Sequence, residues 1–126
     1  MKRLMTGAAL LVLLPLTLAP RTSWPLGNGW RADVHADGFE HAKGDVSSLA
    51  FTAIPPPTWG AITIEVTVTG GAWELLAVSP GCSRVGDTVS CTLTNTGEDR
   101  QRPLRLVVKS VDGNPLSYTM FAILPQ

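Results

Sequence analysis

Nine consecutive residues, Ala61–Thr69, alternate without a break: Ile62, Ile64, Val66 and Val68 fall on one parity and Thr63, Glu65, Thr67 and Thr69 on the other. Side chains of a strand point to opposite faces in turn, so this period of two makes one apolar and one polar face only in a β-strand. A helix would scatter the same β-branched residues around its circumference, against their χ1 preference. Weaker copies of the signal recur along the chain. Strands are predicted over Trp30–Ala36 with Val34 at its centre, Val46–Ile54, Ala72–Val78, Cys82–Val85, Thr88–Thr94, Leu104–Val108 and Leu116–Leu124. Turn sequences separate them: Asp37-Gly38, Gly70-Gly71, Ser79-Pro80-Gly81, Gly86-Asp87, Asn95-Thr96-Gly97 and Asp112-Gly113-Asn114-Pro115. Pro55-Pro56-Pro57 supplies no backbone donor and excludes both helix and central strand, so an extended corner between sheets is expected there. Seven or eight short strands without a helix specify an all-β antiparallel sandwich or barrel.

The chain opens Met-Lys-Arg and then runs apolar from Leu4 to Ala19. A basic start followed by a short apolar run is the layout of a secretory signal. The run is broken by Pro15 and is shorter than the roughly 20 residues that comfortably span a bilayer. Residues 1–19 therefore read as a signal peptide, with an uncleaved N-terminal anchor as the alternative because Pro20 follows the small residues of the cleavage region. Residues 20–29 read as a linker in which Pro25, Gly27 and Gly29 oppose regular structure, with the flanking Trp24 and Trp30 docked on the domain. Residues 30–126 read as one domain; the 107 residues after the signal are enough for one core and not two. The expected location is secreted or extracytoplasmic, with membrane attachment only through residues 4–19.

The 10 basic and 10 acidic residues balance, and loss of Lys2 and Arg3 with the signal leaves a net charge of −2. A nucleic-acid partner needs a concentrated basic face, and none is visible. In an exported chain the two cysteines, Cys82 and Cys91, read as one disulfide. Eight residues separate them, and a tight Gly86-Asp87 turn would set two strands side by side within disulfide reach. Trp73 lies a short way upstream, where its ring could pack against the bridge.

The segment from Trp73 through Pro80-Gly81-Cys82 to Gly86-Asp87-Thr88-Val89-Ser90-Cys91-Thr92-Leu93 resembles the Ig-like repeat domains of bacterial secreted and cell-surface proteins. The likeness extends loosely back to Ala32, where Lys43-Gly44-Asp45 looks like that family's turn before its second strand. It implies an Ig-like sandwich used for display, spacing or adhesion, with no catalytic residues. Family members commonly stand in long arrays with a wall-sorting signal, whereas this sequence holds one domain and ends Phe121–Gln126 without such a motif.

Three clusters carry candidate chemistry. Asp33, His35, Asp37, Glu40 and His41 are the densest set of metal-ligand types; Asp33, His35 and Asp37 share one strand face, a spacing that suits zinc. A solvated strand edge is the expected reading, and a secreted hydrolase or metal-binding protein using the His35/His41 acidic cluster is the alternative. Ser47, Ser48, Ser83, Ser90 and Ser117 sit in strand or turn patterns without a nucleophile elbow, and no phosphate-binding glycine loop opens a helix, so neither catalytic residues nor a cofactor are expected. Arg100, Arg102, Arg105 and Lys109 form a basic run, with Arg105, Val107 and Lys109 on one face. They are candidate interaction residues for a protein or cell-envelope partner; a charged face that protects an edge strand is the plainer reading.

Overall fold

The computed structural model describes residues 21–39, 46–97 and 101–124. They form nine strands: β1 (Arg21–Gly27), β2 (Trp30–Asp37), β3 (Val46–Ile54), β4 (Ala61–Thr69), β5 (Trp73–Val78), β6 (Cys82–Val85), β7 (Thr88–Thr94), β8 (Arg102–Ser110) and β9 (Ser117–Ile123). All strand pairs are antiparallel. One sheet runs in the order β1-β2-β3-β8-β5, the other β6-β7-β4-β9. Among the described residues there is no helix, hence none long and apolar enough to cross a membrane. The predicted leader of residues 1–19 lies outside the described residues.

The alternation of Ala61–Thr69 is realised in full. Ile62, Ile64, Val66 and Val68 are each at most 1% exposed, while the residues between them stay partly or fully accessible. Their apolar face meets Leu49, Phe51 and Ala53 of β3 and Leu104, Leu106 and Val108 of β8 in one continuous core, joined by Val89 and Cys91 of β7 and Tyr118 and Met120 of β9. Burying such side chains stabilises by about 1.5–3 kcal/mol each, which is why both sheets keep their register. Pro55–Pro57 carries the chain from β3 in one sheet to β4 in the other, as the missing donors require.

The ninth strand corrects the sequence reading. Residues 21–27, expected to be irregular, pair with β2 from Arg21↔His35 to Gly27↔Trp30. The proline is tolerated because β1 is an edge strand, where one missing donor need not break a ladder. The register shifts between Pro25 and Gly27, and the chain reverses through Gly27-Asn28-Gly29 with φ of 91°, 56° and 82°. An Asn-Gly pair in left-handed conformation is the strongest short-range hairpin signal, and it was present in the sequence. Leu26 and Trp30, both 2% exposed, bring this hairpin into the core.

The two open sides of the sandwich are closed differently. Beside β1, the Trp24 indole N–H donates to the Met120 carbonyl at 3.0 Å and the Asn28 amide donates to the Ala122 carbonyl at 2.9 Å. These carbonyls lie two residues apart on β9, the edge of the other sheet, so side chains of β1 and its turn take the place of a ladder partner. Trp24 and Phe39 both pack on Tyr118, with ring centroids 5.5 and 5.3 Å away. On the opposite side, Arg84 of β6 reaches β5: its guanidinium lies 3.5 Å from the Trp73 ring centroid and donates to the Trp73 carbonyl at 3.0 Å. β5 itself is bulged at Leu76, the extra residue between the Leu75↔Val108 and Ala77↔Val107 pairs. Its start is fixed by Asp112, whose carboxylate accepts from the amides of Ala72 at 2.9 Å and Asn114 at 3.1 Å. The Ala72 hydrogen bond, and then that from Asn114, hold the Asp112 carboxyl below the ordinary carboxylate range.

Candidate functional site

The predicted ligand types of β2 do share a face. Arg31, Asp33, His35 and Asp37 are all exposed on the outer side of the five-stranded sheet, because the inward parity is taken by Trp30, Ala32 and Val34. Across the small residues of β3, His35 pairs with Ala50 and Ala50 with Arg105; Asp33 pairs with Thr52 and Thr52 with Pro103. His35 and Arg105 are thus two strand spacings apart, roughly 10 Å. Between them lies a shallow depression of about 290 Å³, lined by Asp33, His35, Ala50, Thr52 and Pro103 among others. Glu40 and His41 lie outside the described residues. Among the described residues no group of three or more His, Cys, Asp or Glu is placed to hold a metal ion.

The basic run does not form one surface. Arg105 and Lys109 are exposed on the outer face of β8 with Val107 between them, as their spacing implies. Lys109 pairs with Val46 on one side and Glu74 on the other. Arg102 has the opposite parity and turns to the end of the sandwich, where its guanidinium donates to the Thr94 carbonyl at 2.8 Å and the Thr96 hydroxyl at 3.4 Å. Arg100 lies outside the described residues. Of the candidate nucleophiles, Ser47 is fully buried with an unpaired hydroxyl, and Ser48, Ser90 and Ser117 are half-buried within strands; Ser83 is exposed on β6.

The cysteines behave as their spacing implies. Cys82 and Cys91 are direct partners across β6 and β7, with Cα atoms 4.0 Å apart, and they form a disulfide. The hairpin turns at Gly86, φ 63°, as the sequence predicted. Cys91 points inward and is 3% exposed. The bridge ties the short outer strand β6 to β7 and so fixes the strand that carries Arg84.

A second concavity lies away from these residues. At one end of the sandwich, Ile54, Pro55, Pro56, Pro57, Trp59, Asn95, Gly97 and Gln101 line an open pocket of about 410 Å³. Trp59 is half-buried and held from behind: its ring meets that of Trp30 edge-on, centroids 4.8 Å apart. The Asn95 side chain donates to the Trp59 carbonyl at 2.9 Å, and its oxygen accepts from the Gly97 amide at 2.8 Å. Gly29 packs on Pro56 so closely that a Cβ there would stand 3.1 Å from the Pro56 Cβ. A tryptophan two residues after a proline run is the signal that the sequence offers; without the strand order, nothing places it beside the Asn95-Thr96-Gly97 turn. Compared with known proteins, the chain matches no family model, no curated protein and no solved structure.

Proposed function

We propose that the chain is an exported, non-enzymatic Ig-like module that binds a protein or cell-envelope component outside the cytoplasm. The observation that carries this reading is the Cys82–Cys91 disulfide across β6 and β7, a bond that persists in oxidising compartments. It agrees with the basic-then-apolar start of the sequence. The Ig-like assignment draws support from the segment that resembles that family: β5 is followed directly by the disulfide-bonded hairpin, within a two-sheet sandwich. Binding through end loops and sheet surfaces is the ordinary way a rigid β scaffold presents function. Fractionation of the native host, with N-terminal sequencing, tests the location; co-sedimentation of the mature chain with isolated envelopes tests the binding. The expected result is an oxidised chain outside the cytoplasm that is retained saturably. A cytoplasmic chain with free thiols, or one that envelopes do not retain, would contradict the proposal.

The alternative, a secreted hydrolase or metal-binding protein, rests on Asp33 and His35 lining the same depression. It predicts that zinc shifts the His35 ring resonances at stoichiometric concentration; resonances that ignore zinc would dismiss it.

A further inference from the structure

We infer that the proline–tryptophan pocket at the end of the sandwich is a binding site for a short neutral saccharide. The inference rests on the reading of the chain as a binding module and names the ligand class. Four observations converge on it. First, the pocket volume of about 410 Å³ falls within the roughly 300–1,000 Å³ typical of small-ligand sites. Second, none of the eight described lining residues is ionisable, and the nearby Arg102 guanidinium, 5.8 Å from the Trp59 ring centroid, donates to the Thr94 carbonyl and the Thr96 hydroxyl, so the described lining suits an uncharged ligand. Third, one wall is built from Ile54, three proline rings and the half-buried Trp59. These are apolar, C–H-rich surfaces around one flat indole, which suit the apolar face of a pyranose ring. Fourth, the remaining lining includes the amides of Asn95 and Gln101, both exposed. A carboxamide offers two donors and an acceptor, which pair with neighbouring sugar hydroxyls. Asn95 has one N–H committed to the Trp59 carbonyl and retains its second.

The wall also disfavours an added peptide strand. Prolines 55–57 present no N–H donors, so main-chain pairing along that wall fails. The site is preorganised as well: Trp30 fixes the Trp59 ring, Asn95 fixes its backbone, and the Gly29 turn backs Pro56. Little ordering cost is then left for the binding step.

The test titrates the mature, oxidised chain with cellotriose, maltotriose and N,N′,N″-triacetylchitotriose, read by tryptophan fluorescence and amide chemical shifts. At least one trisaccharide is expected to bind saturably, with affinity at least tenfold lower in Trp59→Ala and about fivefold lower in Gln101→Ala. Gln101 is exposed outside the core, so its variant keeps the fold and the test stands even if Trp59→Ala misfolds. Binding by none of the three, binding indifferent to both substitutions, or tighter binding of a polyproline peptide overturns the inference. Loss of saccharide binding with envelope retention intact would sink the pocket alone; saccharide binding by a chain that stays cytoplasmic would sink the export proposal alone.

Discussion

On one side of the sandwich β1 meets β9 through a tilted Trp24–Tyr118 ring pair and two neutral hydrogen bonds; on the other, β5 meets β6 through one arginine laid on a tryptophan. Both solve the same problem, an unpaired sheet edge that would otherwise template association. The β1 side solves it with long-range contacts: Trp24 and Asn28 reach residues 96 and 94 positions away. The β6 side solves it locally, since Arg84 reaches back 11 residues to Trp73, and its strand is stapled by a disulfide spanning 9. A closure made of distant contacts depends on the whole fold having formed. A covalent local one keeps its register in the unfolded chain and lowers that chain's entropy. The two sides should therefore fail differently.

Removing the central ring on each side gives the largest expected contrast. Trp73 is 4% exposed and Trp24 is only half-buried. Trp73→Ala is expected to cost about 3–5 kcal/mol and Trp24→Ala about 2 kcal/mol in urea unfolding. Equal costs would erase the distinction. Replacing both cysteines by alanine should cost about 2.5–3 kcal/mol on the chain-entropy model, acting through the unfolded state. A loss confined to the folding rate of the β6–β7 hairpin, with equilibrium stability unchanged, would remove the staple from the account.

Two smaller effects sharpen the comparison. Asn28→Gly keeps the positive φ of 56° and deletes only the bond to Ala122. The expected cost is about 1 kcal/mol, the net worth of one neutral hydrogen bond; no measurable change in thermal midpoint would show that the β9 edge closes without it. On the β5 side, Asp112 is held as carboxylate by the Ala72 and Asn114 amides, below its ordinary value of 3.8. A depressed carboxyl contributes stability above its unfolded value, and that contribution is lost as pH falls through the folded one. The melting temperature of the native chain should therefore fall below about pH 4 more steeply than that of Asp112→Asn. Parallel acid limbs would remove Asp112 as the anchor of β5.

How far the sequence could be read follows the same division. The period of two in Ala61–Thr69 fixed β4 to the residue, and Gly86-Asp87 between the cysteines fixed β6 and β7, because these signals are local. Strand β1 was lost because Pro25 and two glycines weigh against a strand unless its edge position is known, although Asn28-Gly29 announced the turn. The shared face of Asp33, His35 and Asp37 followed from parity, and so did that of Arg105 and Lys109. Arg102 is close to them in the chain, but its parity sends it to the opposite side. The pocket around Trp59 is hidden for a different reason: Pro55–Pro57 and Asn95 are about 40 residues apart, and the β4–β7 pairing, which sets Ala61 against Thr94, brings them together.

Peptide mapping of the non-reduced chain from its native host tests the account at its root. The account predicts one cross-linked species joining the peptides of Cys82 and Cys91 within a single chain. Two unmodified thiols, or a bridge between chains, would contradict both the stapled hairpin and the oxidising compartment inferred from it.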